Sequence, residues 1–280
     1  MMAGSMGRST SVTIRPPRRW APLDLRELVQ SHELLYFLVL RNLKLRYKQT
    51  ALGAAWAILQ PLLTMAVFTV VFGRLARLSS DGLPYEVFAL AGLVPWTYFA
   101  NAFTQAGNSL VEQERLLTKV YFPRLYLPLA AVVAGLMDLA VAFVLLLVMI
   151  VWFGIEPSIR LLATPAFVLL AMGAALAPGT WLAALNVRYR DVRHAIPFLV
   201  QIWLFATPVA YSSTLVPERF RPLLGLNPMS TVVGGFRWMI APDAPFPATG
   251  LALSVIVVVG VLVGGLFFFR RVETSFADVV

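Results

Sequence analysis

Cysteine is absent from all 280 residues, which excludes disulfides, thiolate nucleophiles and Cys-built metal sites together. Histidine occurs only as His32 and His194, with no ligand spacing around either, so the sequence offers no zinc site. No Ser-His-Asp arrangement or acid pair stands in a catalytic setting, and no catalytic residue is assigned. Of the lysines, Lys44, Lys48 and Lys119, none follows a glycine, so there is no phosphate-binding loop of the GxxxxGK[ST] kind. Charge is scarce too: 13% of residues are Asp, Glu, Lys or Arg, where a soluble domain has roughly 25%. A chain without metal, cofactor or catalytic centre of its own is the expectation.

Apolar surface fills the space that charge vacates: 59% of residues are hydrophobic and the mean hydropathy is +0.77. Six stretches are long enough to cross a bilayer: Ala51–Gly73, Val87–Gly107, Leu125–Phe153, Leu161–Leu185, Ala195–Tyr211 and Thr249–Phe269. About 20 residues at a rise of about 1.5 Å each span a hydrocarbon core of roughly 30 Å. Helices are required, because lipid satisfies no backbone amide. The predicted fold is an all-α integral membrane protein of six transmembrane helices.

The cations orient it. Of the 23 Lys and Arg, seventeen lie before the first span, in the second and fourth connections, or after the last span; six lie in the first, third and fifth connections. The positive-inside rule places both termini in the cytoplasm. The net charge of +9 is mostly this topology signal, so binding to membrane lipid explains it better than nucleic acid does.

Residues 1–30 read as a disordered cytoplasmic tail without the apolar core of a signal peptide, so insertion is expected to rely on the first span. Residues 31–50 read as an amphipathic interfacial helix, and 51–280 as the six-span transmembrane domain. On that helix Leu40, Leu43 and Tyr47 form one stripe and Arg41, Lys44 and Lys48 another, the apolar one facing lipid and the basic one reaching phosphates. In the second cytoplasmic connection, Ser109 and Glu112 fit a capping box opening a short helix. Residues 212–248 are too apolar for an ordinary loop. With Pro228 in a first turn and Asn227 as its cap, they read as a re-entrant helical pair between the fifth and sixth spans, or else as a surface hairpin.

Polar residues within the spans are mostly neutral amides: Gln60, Asn101, Gln105 and Gln201. Asp138 is the exception, and at the middle of the third span a carboxylate costs about 2.5–3.5 kcal/mol unless it faces protein or water. Without further acids along a path a proton relay lacks support; a hydrogen-bonded or conduit-lining Asp138 fits better. Aromatic faces with amide donors suit sugar rings, which makes Trp56, Gln60, Trp96, Tyr98, Phe99, Asn101, Phe103, Asp138 and Tyr211 the conduit candidates. Interfacial anchoring explains Trp and Tyr equally well. Gly260 and Gly264 form a GxxxG in the last span.

Several blocks resemble polysaccharide-export ABC permeases, the membrane subunits of type-2 ABC exporters for O-antigen, capsule and teichoic acid. They are Arg41–Thr50 with Leu52-Gly53 and Trp56–Pro61, then Lys119–Arg124, Asn186–Val192, Thr207–Val209, Leu226–Met229 and Phe269–Glu273. The resemblance implies a homodimer with two copies of a separate ABC ATPase subunit, which uses the ATP and Mg. It also implies a lipid-linked glycan as cargo and the bacterial inner membrane as location. The family's ATPase-coupling helix maps onto Ser109–Lys119, with Ser109, Glu112, Glu114, Arg115 and Lys119 as coupling candidates. Its cytoplasmic gate helix maps onto Leu34–Lys48, where Arg41, Lys44, Arg46 and Lys48 are candidates for meeting a lipid diphosphate. A type-2 ABC permease for a small drug or lipid is the alternative. An integral-membrane glycosyltransferase would need essential acids or histidines near one face, and a secondary transporter would answer to an ion gradient.

Overall fold

The computed structural model describes residues 32–48, 55–114, 116, 122–241 and 246–273. The expected tail over 1–30 lies outside the described residues, as do Arg115 and Lys119. Every regular element among the described residues is helical. Helix α1 is His32–Tyr47, and α2 is Ala55–Phe68, prolonged by a π-helical stretch over Thr69–Leu75. Helix α3 is Tyr85–Glu112, and α4 (Tyr126–Ala134) and α5 (Leu136–Trp152) form one run kinked at Gly135. A 3₁₀ turn at Ile159–Ala163 leads into α6, Thr164–Arg188; α7 is Val192–Ala206. A short α8 (Arg221–Leu224), then α9 (Pro228–Ile240) and α10 (Ala248–Glu273) complete the order.

Five of these runs are long and apolar enough to cross a membrane: Ala55–Leu75, Tyr85–Glu112, Tyr126–Trp152, Ile159–Arg188 and Ala248–Glu273. The expected span Ala195–Tyr211 does not reach that length as a helix. It ends at Ala206, because Thr207 takes an extended backbone (φ −105°, ψ 132°) ahead of Pro208. Its 15 residues cover about 22 Å.

Helix α3 is the mast. Phe88, Phe99 and Phe103 on it are at most 1% exposed, and most of its residues are buried between α6 on one side and α2, α4, α5, α7 and α9 on the others. Burying a Phe side chain stabilises by about 1.5–3 kcal/mol, and α3 collects that gain along most of its length. Helix α9 is also nearly wholly inside, against α3 and α6. Its start is fixed by Asn227. The Asn227 Oδ1 accepts from the Met229 amide at 3.1 Å and from Trp203 Nε1 at 2.9 Å, while Nδ2 donates to the Ala206 carbonyl at 3.2 Å and to Thr207 Oγ1 at 2.9 Å. One amide side chain thus caps α9 and ties it to the end of α7.

The seam between α6 and α10 is made by Trp181. It stacks on Phe268 with centroids 4.9 Å apart, donates Nε1 to the Val261 carbonyl at 2.9 Å, and crowds Gly264 and Gly265. Of the GxxxG pair only Gly264 meets a neighbour; a Cβ at Gly260 would point into open space. The capping-box reading of Ser109 is corrected: α3 runs through it unbroken, and its buried hydroxyl donates back to the Ala106 carbonyl at 2.7 Å. No helix-breaking residue stands between Gly107 and Glu112, so α3 has no reason to stop and restart there.

Two adjacent glycines of α9 test the packing. A Cβ at Gly235 would come within 2.1 Å of the Phe167 ring, whereas one at Gly234 would meet nothing within 4 Å. Gly235→Ala should destabilise by about 1–3 kcal/mol through overpacking, while Gly234→Ala should be neutral or stabilise by up to about 1 kcal/mol. Thermal melts of the two detergent-solubilised variants against wild type read the difference.

A polar cavity between helix α1 and the bundle

Three helices of the bundle and α1 enclose a cavity of about 290 Å³. Helix α3 contributes Tyr98, Asn101 and Gln105, spaced three and four apart and so on one face. Helix α2 contributes Trp56 and Gln60, again four apart, and α5 contributes Asp138. Apolar walls come from Val94, Leu139 and Ala142. Space for Tyr98 exists because residue 135 is glycine: a Cβ there would sit 3.1 Å from the Tyr98 ring. The Tyr98 hydroxyl donates to the Val132 carbonyl at 3.1 Å, so the ring is anchored at the α4–α5 kink.

Asp138 is held by α1. One Nη of Arg46 donates to one carboxylate oxygen, and the Tyr47 hydroxyl donates to the other. The second Nη of Arg46 donates to Gln105 Oε1, so its guanidinium fork bridges α5 and α3. Arg46 and Asp138 are each about a quarter exposed (24%), which leaves the pair in partial contact with the cavity. Burial, and after it the hydrogen bond to Asp138, push the Tyr47 phenol up to about 12, so it remains a proton donor at neutral pH.

These contacts correct the expected disposition of α1. Tyr47 turns inward to Asp138 and not to lipid, and Arg46 faces the cavity. Leu38 is buried, and with Leu34, Leu35 and Val39 it packs on Leu110, Phe122, Tyr126 and Leu127. Arg41 donates to Gln113 Oε1 at 2.8 Å, which pins α1 to the turn just past α3. Lys44 and Lys48 are exposed. Glu112 is the last residue of α3, and Glu114 lies two residues beyond it.

The structure divides the conduit candidates into three places. Trp56, Gln60, Tyr98, Asn101 and Asp138 come together around the cavity, joined by Arg46 from the gate candidates. Trp96, Phe99 and Phe103 are buried in the core, where Trp203 meets Phe99 and Phe103 edge-on at 4.9 and 5.7 Å. Tyr211 lies beyond α7, near the start of α3, where its carbonyl accepts from Arg237 at 3.2 Å. Gln105, noted as an intramembrane amide but not as a site candidate, belongs to the cavity network.

Arg237 is the residue that sequence reasoning missed. Buried on α9, it donates to the Pro208 and Val209 carbonyls at 2.6 Å each and to Phe88 at 3.4 Å, and it lies 3.5 Å from the Phe88 ring centroid. Counted only as one more external cation, it carried a signal nonetheless: a lone arginine inside the apolar run Met229–Ile240 has to find acceptors. Apart from Phe88 on α3, the acceptors are carbonyls of the non-helical stretch that follows α7.

Comparison with known proteins bears on what this scaffold is. The ABC-2 type transporter family matches residues 33–241. This chain belongs to that family. Among similar proteins, the O-antigen export system permease protein RfbA of Myxococcus xanthus is 36% identical over 255 residues, covering 89% of this chain and 96% of that one. The RfbA of Klebsiella pneumoniae is 25% identical over 260 residues, covering 89% and 95%. The polysialic acid transport protein KpsM of Escherichia coli is 23% identical over 247 residues, covering 85% and 93%. The ABC-2 family match takes in α1 and ends just after α9, so both walls of the cavity fall inside it.

The Arg237 knot predicts how the far end of this ABC-2 transporter responds to mutation. Arg237→Met strands several carbonyls and should cost about 3 kcal/mol or more; Arg237→Lys, without the fork, should cost less. Hydrogen exchange should show earlier opening around 209–212 in both variants, with residues 41–48 unchanged.

Proposed function

We propose that this chain is the permease subunit of a polysaccharide exporter, moving a lipid-linked glycan from the cytoplasmic side of the inner membrane to the outside. The observation that carries the reading is the cavity. Trp56, half exposed, offers a ring face to sugar C–H groups, while Gln60, Asn101 and Gln105 offer amides to hydroxyls. Its mouth adjoins a helix rich in cations at the membrane surface, suited to an anionic lipid carrier. The names of the similar proteins, O-antigen and polysialic acid transporters, support the same class of cargo.

The proposed assembly is a homodimer on two copies of an ABC ATPase, which binds ATP and Mg; this chain hydrolyses nothing. In that assembly α7, continued by residues 207–212, completes a sixth crossing, and α8 with α9 forms the re-entrant pair at the external mouth. Both termini are cytoplasmic. Residues 1–30 are the tail, 31–50 the gate helix and 51–280 the permease domain. Glu112, Glu114, Arg115 and Lys119 reach the ATPase, with Ser109 supporting them from within α3.

Deleting the gene should make lipid-linked glycan accumulate inside the cell while surface glycan is lost, with a plasmid-borne copy restoring both. Unchanged glycan on both sides would refute the reading and favour a small-molecule exporter. At the cavity, Trp56→Ala with Gln60→Ala should reduce surface glycan about tenfold at normal abundance of the protein, since each lost sugar contact is worth roughly 0.5–1.5 kcal/mol. Alanine at Arg41, Lys44, Arg46 and Lys48 together should abolish export.

A further inference from the structure

We propose that α2 has two registers exchanged by the π-helical stretch Thr69–Leu75, so that Trp56 and Gln60 face the cavity in one and leave it in the other. As regulation of that cavity, the inference rests on the cavity being where cargo is held. Three observations carry it. A π turn closes with an amide donating five residues back, as Ala76 does to the Val71 carbonyl at 2.9 Å, and so holds one residue more than an α turn. Thr69, at the boundary, is buried, and its hydroxyl has no hydrogen-bond partner among the described residues. Thr64, in the α-helical part, returns its hydroxyl to the Gln60 carbonyl at 2.9 Å. The two ends of the run are also held unequally. Gly73 lies against Tyr85, where a Cβ would come within 2.8 Å of the ring, and the loop beyond is tied by Asp81, which accepts from Ser212 Oγ at 2.7 Å. Toward the other end, Pro61 is the one buried residue of Ala55–Phe68.

The surplus residue therefore has one way out, toward Ala55. When the π turn relaxes to α-helix with its C-terminal end fixed, every residue before it turns by about 100° and moves by about 1.5 Å. Each place is then taken by the next residue along. Val70 enters the buried place of Thr69, and Thr69 joins a regular turn where its hydroxyl reaches the carbonyl four residues back. Against this, Met65 and Phe68, which pack on the core, give way to Ala66 and Thr69. The two effects oppose each other and are of similar size. The outer face of α2 does not resist the turn, because Leu63, Val67, Val70 and Val71 are exposed and one apolar face replaces another against lipid. At the cavity, Ala57 and Pro61 replace Trp56 and Gln60. The exchange takes the indole and the amide away from whatever the cavity holds.

The test uses the full chain in nanodiscs with a nitroxide on Gln60→Cys, the sole cysteine of the variant. Its spectrum should have two components, one relaxed by a water-soluble nickel chelate through the cavity and one relaxed only by oxygen dissolved in the lipid. Deleting Val71 removes the surplus residue and leaves both flanking parts in their present places, so the cavity component alone should remain. Thr69→Val removes the orphaned hydroxyl and should raise the ratio of cavity to lipid component about fivefold or more; it decides the matter should the deletion fail to fold. Thr64→Val, whose hydroxyl is bonded in both registers, should leave the ratio unchanged. A single component in the otherwise unaltered chain would overturn the proposal, as would two components whose ratio ignores both the deletion and Thr69→Val. The spectra need neither cargo nor ATPase, so the two registers can fail while the exporter reading stands, and the reverse.

Discussion

A carboxylate placed halfway along an apolar helix has to be matched by a cation or protonated, and here the cation comes from outside the bundle. Asp138 lies on the most hydropathic of the early spans, Tyr126–Trp152, and Arg46 and Tyr47 reach it from α1. Desolvating the pair has its own cost, which is why its remaining exposure to a polar cavity matters. The pairing dictates the placement of α1. A helix with basic residues in its second half, which could have floated on the bilayer surface, packs on α4, reaches α3 and α5 through Arg46, and becomes one wall of the cavity. The cavity exists because α1 is held there.

The other end of the molecule solves the converse problem. Pro208 stops α7 inside an apolar segment and leaves carbonyls without amide partners, and Arg237 supplies the donors from α9. At one end a buried anion recruits an arginine from an outer helix; at the other, unpaired backbone oxygens recruit an arginine from an inner one. Between them runs α3, which touches both. Tyr85 at its start donates to the Ala210 carbonyl at 2.6 Å, and Gln105 near its end accepts from Arg46.

What the sequence made legible follows from where the signal is local. Spans of 20 or more apolar residues declare themselves by length, and the Asn227–Pro228 start of α9 was readable because capping involves adjacent residues. Where the helix ends inside the fifth apolar stretch was not legible, because hydropathy ignores backbone geometry: Thr207 ahead of Pro208 ends it although Val209 and Ala210 are apolar. Asp138 was recognisable as a residue in need of a partner, yet its partner lies 92 positions away, a distance that no periodicity spans. The aromatic candidates divided for a similar reason. Phe99 and Phe103 share α3 with Tyr98 but point to Trp203, and only the packing of α7 decides which face of α3 is core and which is cavity.

The two contacts of α1 with the C-terminal part of α3 have a mechanical consequence. Arg41 meets Gln113 and Arg46 meets Gln105, so the helices run antiparallel, tied at two points eight residues apart on the α3 side, about 12 Å. A helix buried along most of its length cannot bend locally without opening the core, so a push at its C-terminal end is transmitted as displacement of the whole element. In the proposed assembly that end is where the ATPase bears. Displacement of α3 then has to be answered at α1, and at Arg46 it is carried further, because the other arm of the same guanidinium holds Asp138 on α5. The residue that closes one wall of the cavity is therefore also the one that couples a movement of α3 to α5.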